Sequence, residues 1–160
     1  MTTVILLAID DSEFSRAATH ALVQHVSPES TLVHVLHVIE LDRMLPPVYD
    51  YARGTTYGPD VAAHLQGGRH HAEQIVDDAS RHLEAAHFRT TPVVREGDPK
   101  RTILDYAATI NCDCIVMGSH GWHGVDRFFM GSVSEGVVRH AHCSVLVVRR
   151  RDVANHTPPQ

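Results

Sequence analysis

Two spacings of apolar residues alternate along the chain. Residues 4–9 form an unbroken apolar run, the pattern of a central parallel strand covered on both faces. Phe14, Ala17, Ala18, Ala21, Leu22 and Val26 then recur at helical spacing, and Ser27-Pro28 closes that helix. Residues 32–38 predict a second strand, so the opening reads as one βαβ unit. A longer helix is expected from about residue 60 to 87, with Leu65, Ala72, Ile75, Val76, Ala79, Leu83 and Ala86 inward. Gly67-Gly68 marks either a kink in it or its true start. Residues 92–95 predict a short strand. Gly97-Asp98-Pro99 introduces a third helix, with Asp98 as N-cap, Pro99 in the first helical position and Ile103, Leu104, Ala107 and Ala108 facing the core. Residues 115–117 predict a fourth strand, closed by Gly118. Val133, Val137, Val138 and Ala141 mark a fourth helix beginning at Gly131-Ser132, and residues 145–148 a last strand.

Strands alternating with helices in this way predict a doubly wound parallel α/β sheet. Ligands of such sheets sit beyond the carboxyl ends of the strands, where the strand order reverses. Asp10 and Gly118 both fall just past strand ends, and they meet if the first and fourth strands are neighbours. Residues 41–60 interrupt the pattern with prolines, glycines, tyrosines and mixed charge, which predicts a long exposed loop. That loop leaves the end of the second strand. It either folds over a ligand beside Asp10 or is a disordered excursion.

Composition narrows the choice of class. At 160 residues the chain is sized for one domain, expected over residues 1–150, with residues 151–160 a frayed tail. A hydrophobic fraction of 43% and a charged fraction of 21% are those of globular material. The net charge of −5 argues against nonspecific nucleic-acid binding, which needs a basic face. Residues 4–9 are too few for a signal core or a membrane span. Cys112, Cys114 and Cys143 lack CxxC spacing and do not pair evenly, so reduced, structural thiols and a cytoplasmic setting are expected.

The candidate chemistry lies between residues 113 and 148. Gly118, Gly121 and Gly124 give a loop through which backbone can approach a ligand, and Gly131-Ser132 stands where a helix begins. A helix N-terminus leaves backbone N–H groups without partners and is partly positive, which suits an anion. Ser132 and Ser134 add hydroxyls. A plain βα connection that happens to contain glycine is the competing reading.

The spacing Gly118-x2-Gly121-x9-Gly131-Ser132 resembles the nucleotide-binding pattern of the universal stress protein family, Gly-x2-Gly-x9-Gly-(Ser/Thr). The resemblance extends to Ala-Ile-Asp-Asp-Ser at 8–12, His-Val-Leu-His-Val at 34–38, Gly97-Asp98-Pro99, Ile-Val-Met-Gly-Ser-His-Gly at 115–121 and Ser-Val-Leu-Val-Val at 144–148. It implies a five-stranded Rossmann-like sheet of order 3-2-1-4-5 with helices on both faces. It also implies that Ala8, Asp10, Ser12, Val38, Met117, Gly118, His120, Gly121, Gly131, Ser132, Val133 and Ser134 surround ATP, with AMP or ADP as alternatives. Asp10 then contacts the ribose or a Mg2+ on the phosphates, and the backbone of Val38 reads the adenine edge. N-capping is the competing role for Asp10, and one that Ser12 could also fill. The resemblance further implies a homodimer paired through the edge strand at 144–149, and a nucleotide-dependent regulatory switch read by a protein partner whose identity the sequence does not give.

Trp122, His123 and Asp126 depart from the family pattern, which often has arginine, a small hydroxyl residue and serine there; Arg127 could compensate. This bears on triphosphate versus monophosphate. No P-loop, Gly-x-Ser-x-Gly elbow or Ser/His/Asp arrangement can be assigned, so slow ATP hydrolysis is the most catalysis expected. A weak phosphotransfer enzyme and a nucleotide-free interaction module are the alternatives. Among the fourteen histidines, His120 and His123 could meet phosphates. His70-His71, read as starting a helix, and His140 and His142 give no zinc-like spacing.

Overall fold

The computed structural model describes residues 2–40, 59–120 and 130–149. The elements follow in the order β1 (Thr3–Ala8), α1 (Glu13–His25), β2 (Thr31–Ile39), α2 (Pro59–Ala85), β3 (Arg89–Glu96), α3 (Pro99–Thr109), β4 (Cys114–Gly118), α4 (Ser132–His140) and β5 (Ser144–Val148). The five strands are parallel and lie in the order β3-β2-β1-β4-β5, as expected. Of the loop expected over residues 41–60, residues 41–58 lie outside the described residues and 59–60 belong to α2; the tail expected over residues 151–160 also lies outside them.

Strand alternation divides the core into two layers, because successive side chains of a strand point to opposite faces. Ile5, Leu7 and Ile9 of the β1 segment meet Ala18 and Leu22 of α1 and Val76 and Leu83 of α2. Leu6 and Ala8 meet Ile103 and Ala107 of α3 and Val137 of α4. The described helices therefore cover both faces of the sheet, two on each. Residues 4–9 form an unbroken apolar run for this reason.

Local signals set most of the boundaries. Ser12 caps α1 by accepting from the Ser15 N–H at 3.1 Å, and Asp98 caps α3 by accepting from the Arg101 N–H at 2.8 Å. Helices α2 and α3 both end in a left-handed residue, His87 (φ 67°) and Asn111 (φ 47°). In each case the following N–H reaches back to a last-turn carbonyl, Phe88 to Leu83 at 3.1 Å and Cys112 to Ala107 at 3.0 Å.

Two expectations need correction. Helix α2 begins at Pro59 and continues through Gly67-Gly68, so neither glycine is its start and His70-His71 lies in its interior. Strand β3 is eight residues long, not four, and pairs with β2 from Arg89 to Glu96. Pro92 sits inside it opposite Val35. A proline is tolerated there because β3 is an edge strand, with one side that owes no ladder hydrogen bond.

Candidate functional site

The strand order reverses between β1 and β4, and the space beyond their carboxyl ends is a cavity of about 570 Å³. Its walls come from five places: the end of β1 with the turn into α1, the end of β2, the middle of α2, the start of α3, and the end of β4 with the start of α4. Of the residues singled out in the sequence, Ala8, Asp10, Val38, Met117, Gly118, His120, Gly131, Ser132, Val133 and Ser134 line it. Gly121, Trp122, His123, Gly124, Asp126 and Arg127 lie outside the described residues. Ser12 does not line the cavity. It is buried beneath the turn as the cap of α1.

Asp10 is fixed by the same turn. Its Oδ1 accepts from the Ser15 hydroxyl at 2.6 Å and from the Ser12 N–H at 3.2 Å, while its own N–H donates to the Ser15 hydroxyl oxygen at 2.8 Å. Ser15 is thus the positioning group for Asp10, a role the sequence did not reveal. Capping and lining the cavity are therefore divided between Ser12 and Asp10.

The chain leaves β4 and re-enters at α4 next to itself. Gly131 N–H donates to the Ser119 carbonyl at 2.9 Å, and Ser119 N–H donates to the Val148 carbonyl of β5 at 2.9 Å. Gly131 is the N-cap of α4 and offers no side chain to its first turn. The first-turn N–H groups of α4 thus open on the cavity without a side-chain cap, where the partial positive charge of the helix end is greatest. Ser134 contributes differently from expectation. Its buried hydroxyl donates to the Gly118 carbonyl at 2.9 Å, which ties α4 to β4.

Gly118 also has a packing reason for being glycine. A Cβ there would lie 2.7 Å from Phe14 Cβ and 2.8 Å from the Phe14 carbonyl carbon, so the first turn of α1 crosses β4 at this point. His120 lies beside it, 9% exposed, its ring 5.1 Å from that of Phe14 and its Nδ1 3.0 Å from the Ser119 hydroxyl. Its Nε2 is buried and has no hydrogen-bond partner among the described residues. A buried polar atom in that condition is costly unless a ligand or water meets it.

The opposite wall is acidic and imidazole-rich. Asp10, Asp11, Glu40, His37 and His71 line it. Asp11 pairs with Arg16 at 3.2 Å and with His71 of α2 at 3.6 Å, which joins the α1 turn to α2 across the cavity. His37 is half-buried, and its Nδ1–H donates to the Ile9 carbonyl at 2.9 Å. Burial holds its pKa below the ordinary 6.5, outweighing the Ile9 carbonyl and the nearby Asp10, which favour the charged form. The sequence contained one signal for His37: it stands one position before Val38 at the end of a strand that reaches the crevice. His71 and Asp11 become site residues only through the packing of α2. Leu36, Val38, Ile75, Ile103 and Met117 supply apolar surface between the two walls. Among the described residues no three His, Cys, Asp or Glu side chains are gathered to hold a metal ion. No helix of the described residues is long and apolar enough to cross a membrane.

The arrangement offers an anion site at α4, an apolar slot at the centre and a carboxylate at Asp10. Comparison with known proteins agrees with the topology. Residues 1–149 match the Universal stress protein family. A universal stress protein of Synechocystis is 27% identical over 148 residues, covering 91% of this chain and 96% of that one. A putative universal stress protein of Staphylococcus aureus is 30% identical over 158 residues, covering 98% and 89%. Among solved structures, universal stress protein UspA from Lactobacillus plantarum superposes with a TM-score of 0.73 at 25% identity, covering 92% of this chain and 97% of that one. An Arabidopsis thaliana family protein with AMP bound has a TM-score of 0.67 at 16% identity, covering 98% and 95%. A universal stress protein in complex with cAMP has a TM-score of 0.60 at 19% identity, covering 92% and 97%. With a match across the whole described sheet and the four described helices, the chain belongs to the universal stress protein family.

Proposed function

We propose that the cavity binds an adenine nucleotide, ATP in the first instance, and that the protein is a cytoplasmic, homodimeric, nucleotide-dependent regulator. The observation that carries the reading is the uncapped N-terminus of α4 opening on a cavity also lined by His120, whose buried Nε2 has no hydrogen-bond partner among the described residues. Donors at Ser132, Val133 and Ser134 N–H suit phosphate oxygens. The apolar slot by Val38, Ile103 and Met117 suits a purine ring, with the Val38 backbone at its edge. The acidic wall repels phosphate but accepts hydrogen bonds from ribose hydroxyls, which orients the ligand with its sugar toward Asp10 and its phosphates toward α4. The AMP and cAMP complexes of structurally similar family members support an adenine nucleotide.

In the alternative pose, with the phosphates turned toward Asp10, that carboxylate is the residue that would hold an accompanying Mg2+. A single carboxylate is enough for that ion, which commonly takes most of its ligands from phosphate and water. The metal would neutralise phosphate charge near the acidic wall. The β5 edge presents Leu146 at 41% exposure, and pairing with a second copy would cover it. Loss or gain of nucleotide would then be read by a protein partner.

The test is to purify the chain without added nucleotide, denature it, and identify what is released, then titrate ATP and AMP with and without Mg2+ by calorimetry. About one adenine nucleotide per chain is expected. Gly131→Val places a branched side chain at the head of α4 and should lower affinity at least tenfold. Undiminished binding by that variant would remove the anion site from the reading, and failure of the wild type to bind either nucleotide would leave the interaction-module alternative.

A further inference from the structure

All three cysteines, distant from one another by up to 31 positions, converge at the amino-terminal ends of β4 and β5, on the side of the sheet away from the cavity. The register pairs Cys114 with Ser144, so Cys112 and Cys143 stand just ahead of two neighbouring parallel strands. Adjacent strands are roughly 4.8 Å apart, within the span that a disulfide bridges. Cys112 and Cys143 belong to the same apolar layer, the one under α3 and α4, whereas Cys114 faces the opposite layer under α1 and α2. The Cys112 thiol donates to the Cys114 carbonyl at 3.0 Å and is near enough to Cys143 for the two sulfurs to influence each other electrostatically. The three thiols are free in the structure.

We infer that Cys112 and Cys143 form a redox-responsive pair that a hydroperoxide converts into an intramolecular disulfide. The two thiols differ in access, which assigns their roles. Cys143 is partly exposed and Cys112 is 4% exposed, so an oxidant reaches Cys143 first. The Cys143 thiolate attacks one peroxide oxygen, the O–O bond breaks, and hydroxide leaves with a proton as water when the oxidant is hydrogen peroxide. Cys143 is then a sulfenic acid. Cys112 gives up its proton and attacks the Cys143 sulfur, the S–O bond breaks, and a second water departs. Two thiols are oxidised by two electrons and one peroxide is reduced to two waters.

Burial pushes the Cys112 thiol up to about 12, with the neighbouring Cys143 adding to the effect. Attack by Cys112 requires its thiolate, so the second step speeds up with pH as that fraction grows. The bond would close a loop that carries β4 and α4, the two elements that frame the uncapped helix end. Cross-linking its ends restricts the unfolded chain, so the oxidised protein should melt at a higher temperature.

The full-length, reduced protein is treated with stoichiometric hydrogen peroxide, alkylated, digested and mapped by mass spectrometry without reduction. The expected product is a peptide pair joined through Cys112 and Cys143 within one chain, with Cys114 alkylated. Its formation should raise the melting temperature by several degrees, reversed by dithiothreitol. Cys114→Ser should still cross-link, and Cys143→Ser should leave Cys112 open to alkylation after the same dose. Accumulation of Cys143 sulfinic acid beside an alkylated Cys112 would overturn the inference. So would a bond through Cys114, or one between chains. The wild-type map decides the matter even if a variant folds poorly.

Discussion

At the scale of single residues, Gly118 shows how a motif position can serve more than its ligand. Its place after a buried strand is legible in the sequence, and so is its nearness to an expected cavity. The contact with Phe14 is not, because it depends on where α1 crosses β4. Gly118→Ala forces its new methyl against Phe14 Cβ and backbone, neither of which can swing aside. We expect a loss of about 1–3 kcal/mol in stability, measured by urea denaturation, before any effect on ligand is considered. A variant as stable as wild type would mean that α1 does not cross at this point. Ser134 and Ser12 carry the same lesson. Their places in the motif point both hydroxyls toward a ligand, yet one is bonded to the Gly118 carbonyl and the other caps α1. Short polar side chains bond locally wherever backbone groups are within reach, and sequence does not say which partner wins.

At the scale of elements, the helices and the buried strands are readable because their burial is strictly periodic. β3 is only partly so: an edge strand carries Arg89, Arg95 and Glu96 on its exposed positions, and Pro92 suggests a break. The start of α2 is ambiguous for a related reason, since a glycine pair ordinarily interrupts a helix. Both ends of α2 give a prediction. Gly67 is inside the helix, and a Cβ added there would have nothing within 4 Å, so Gly67→Ala meets no obstacle and gains helix propensity. His87, just past the end, is a side-chain-bearing residue held at φ 67°. Exchanging each for the residue its backbone prefers, Gly67→Ala and His87→Gly, should stabilise the protein by about 0.5–1 kcal/mol apiece. Thermal melts of the two single variants and the double check this, and the effects should add because the sites are far apart along α2. A destabilised Gly67→Ala would show that α2 does not continue through the glycine pair.

At the scale of the whole molecule, alternation of strands and helices points to the fold class, but the order 3-2-1-4-5 comes from family resemblance. Periodicity says that a strand is buried and is silent about which neighbour it has. With the order in hand, β2 lies between β1 and β3 and carries two imidazoles, His34 and His37, into half-buried positions. His34 Nδ1 is 2.9 Å from the Tyr106 hydroxyl, and His37 is held by the Ile9 carbonyl. Burial is the leading cause in each, and it sets both pKa values below 6.5. The unfolded chain takes up these protons near 6.5, whereas the folded chain resists until lower pH. Between those limits unfolding binds protons, so the stability contributed by neutral His34 and His37 is complete above 6.5 and declines as pH falls toward the native values. Urea midpoints measured across that range should fall with acidification. Replacing His37 by Asn retains a donor for the Ile9 carbonyl while removing the titration, so it should flatten the slope, and His34→Gln with it should flatten it further. An unchanged slope in the double variant would assign acid sensitivity to other groups and leave the β2 imidazoles with a purely structural part.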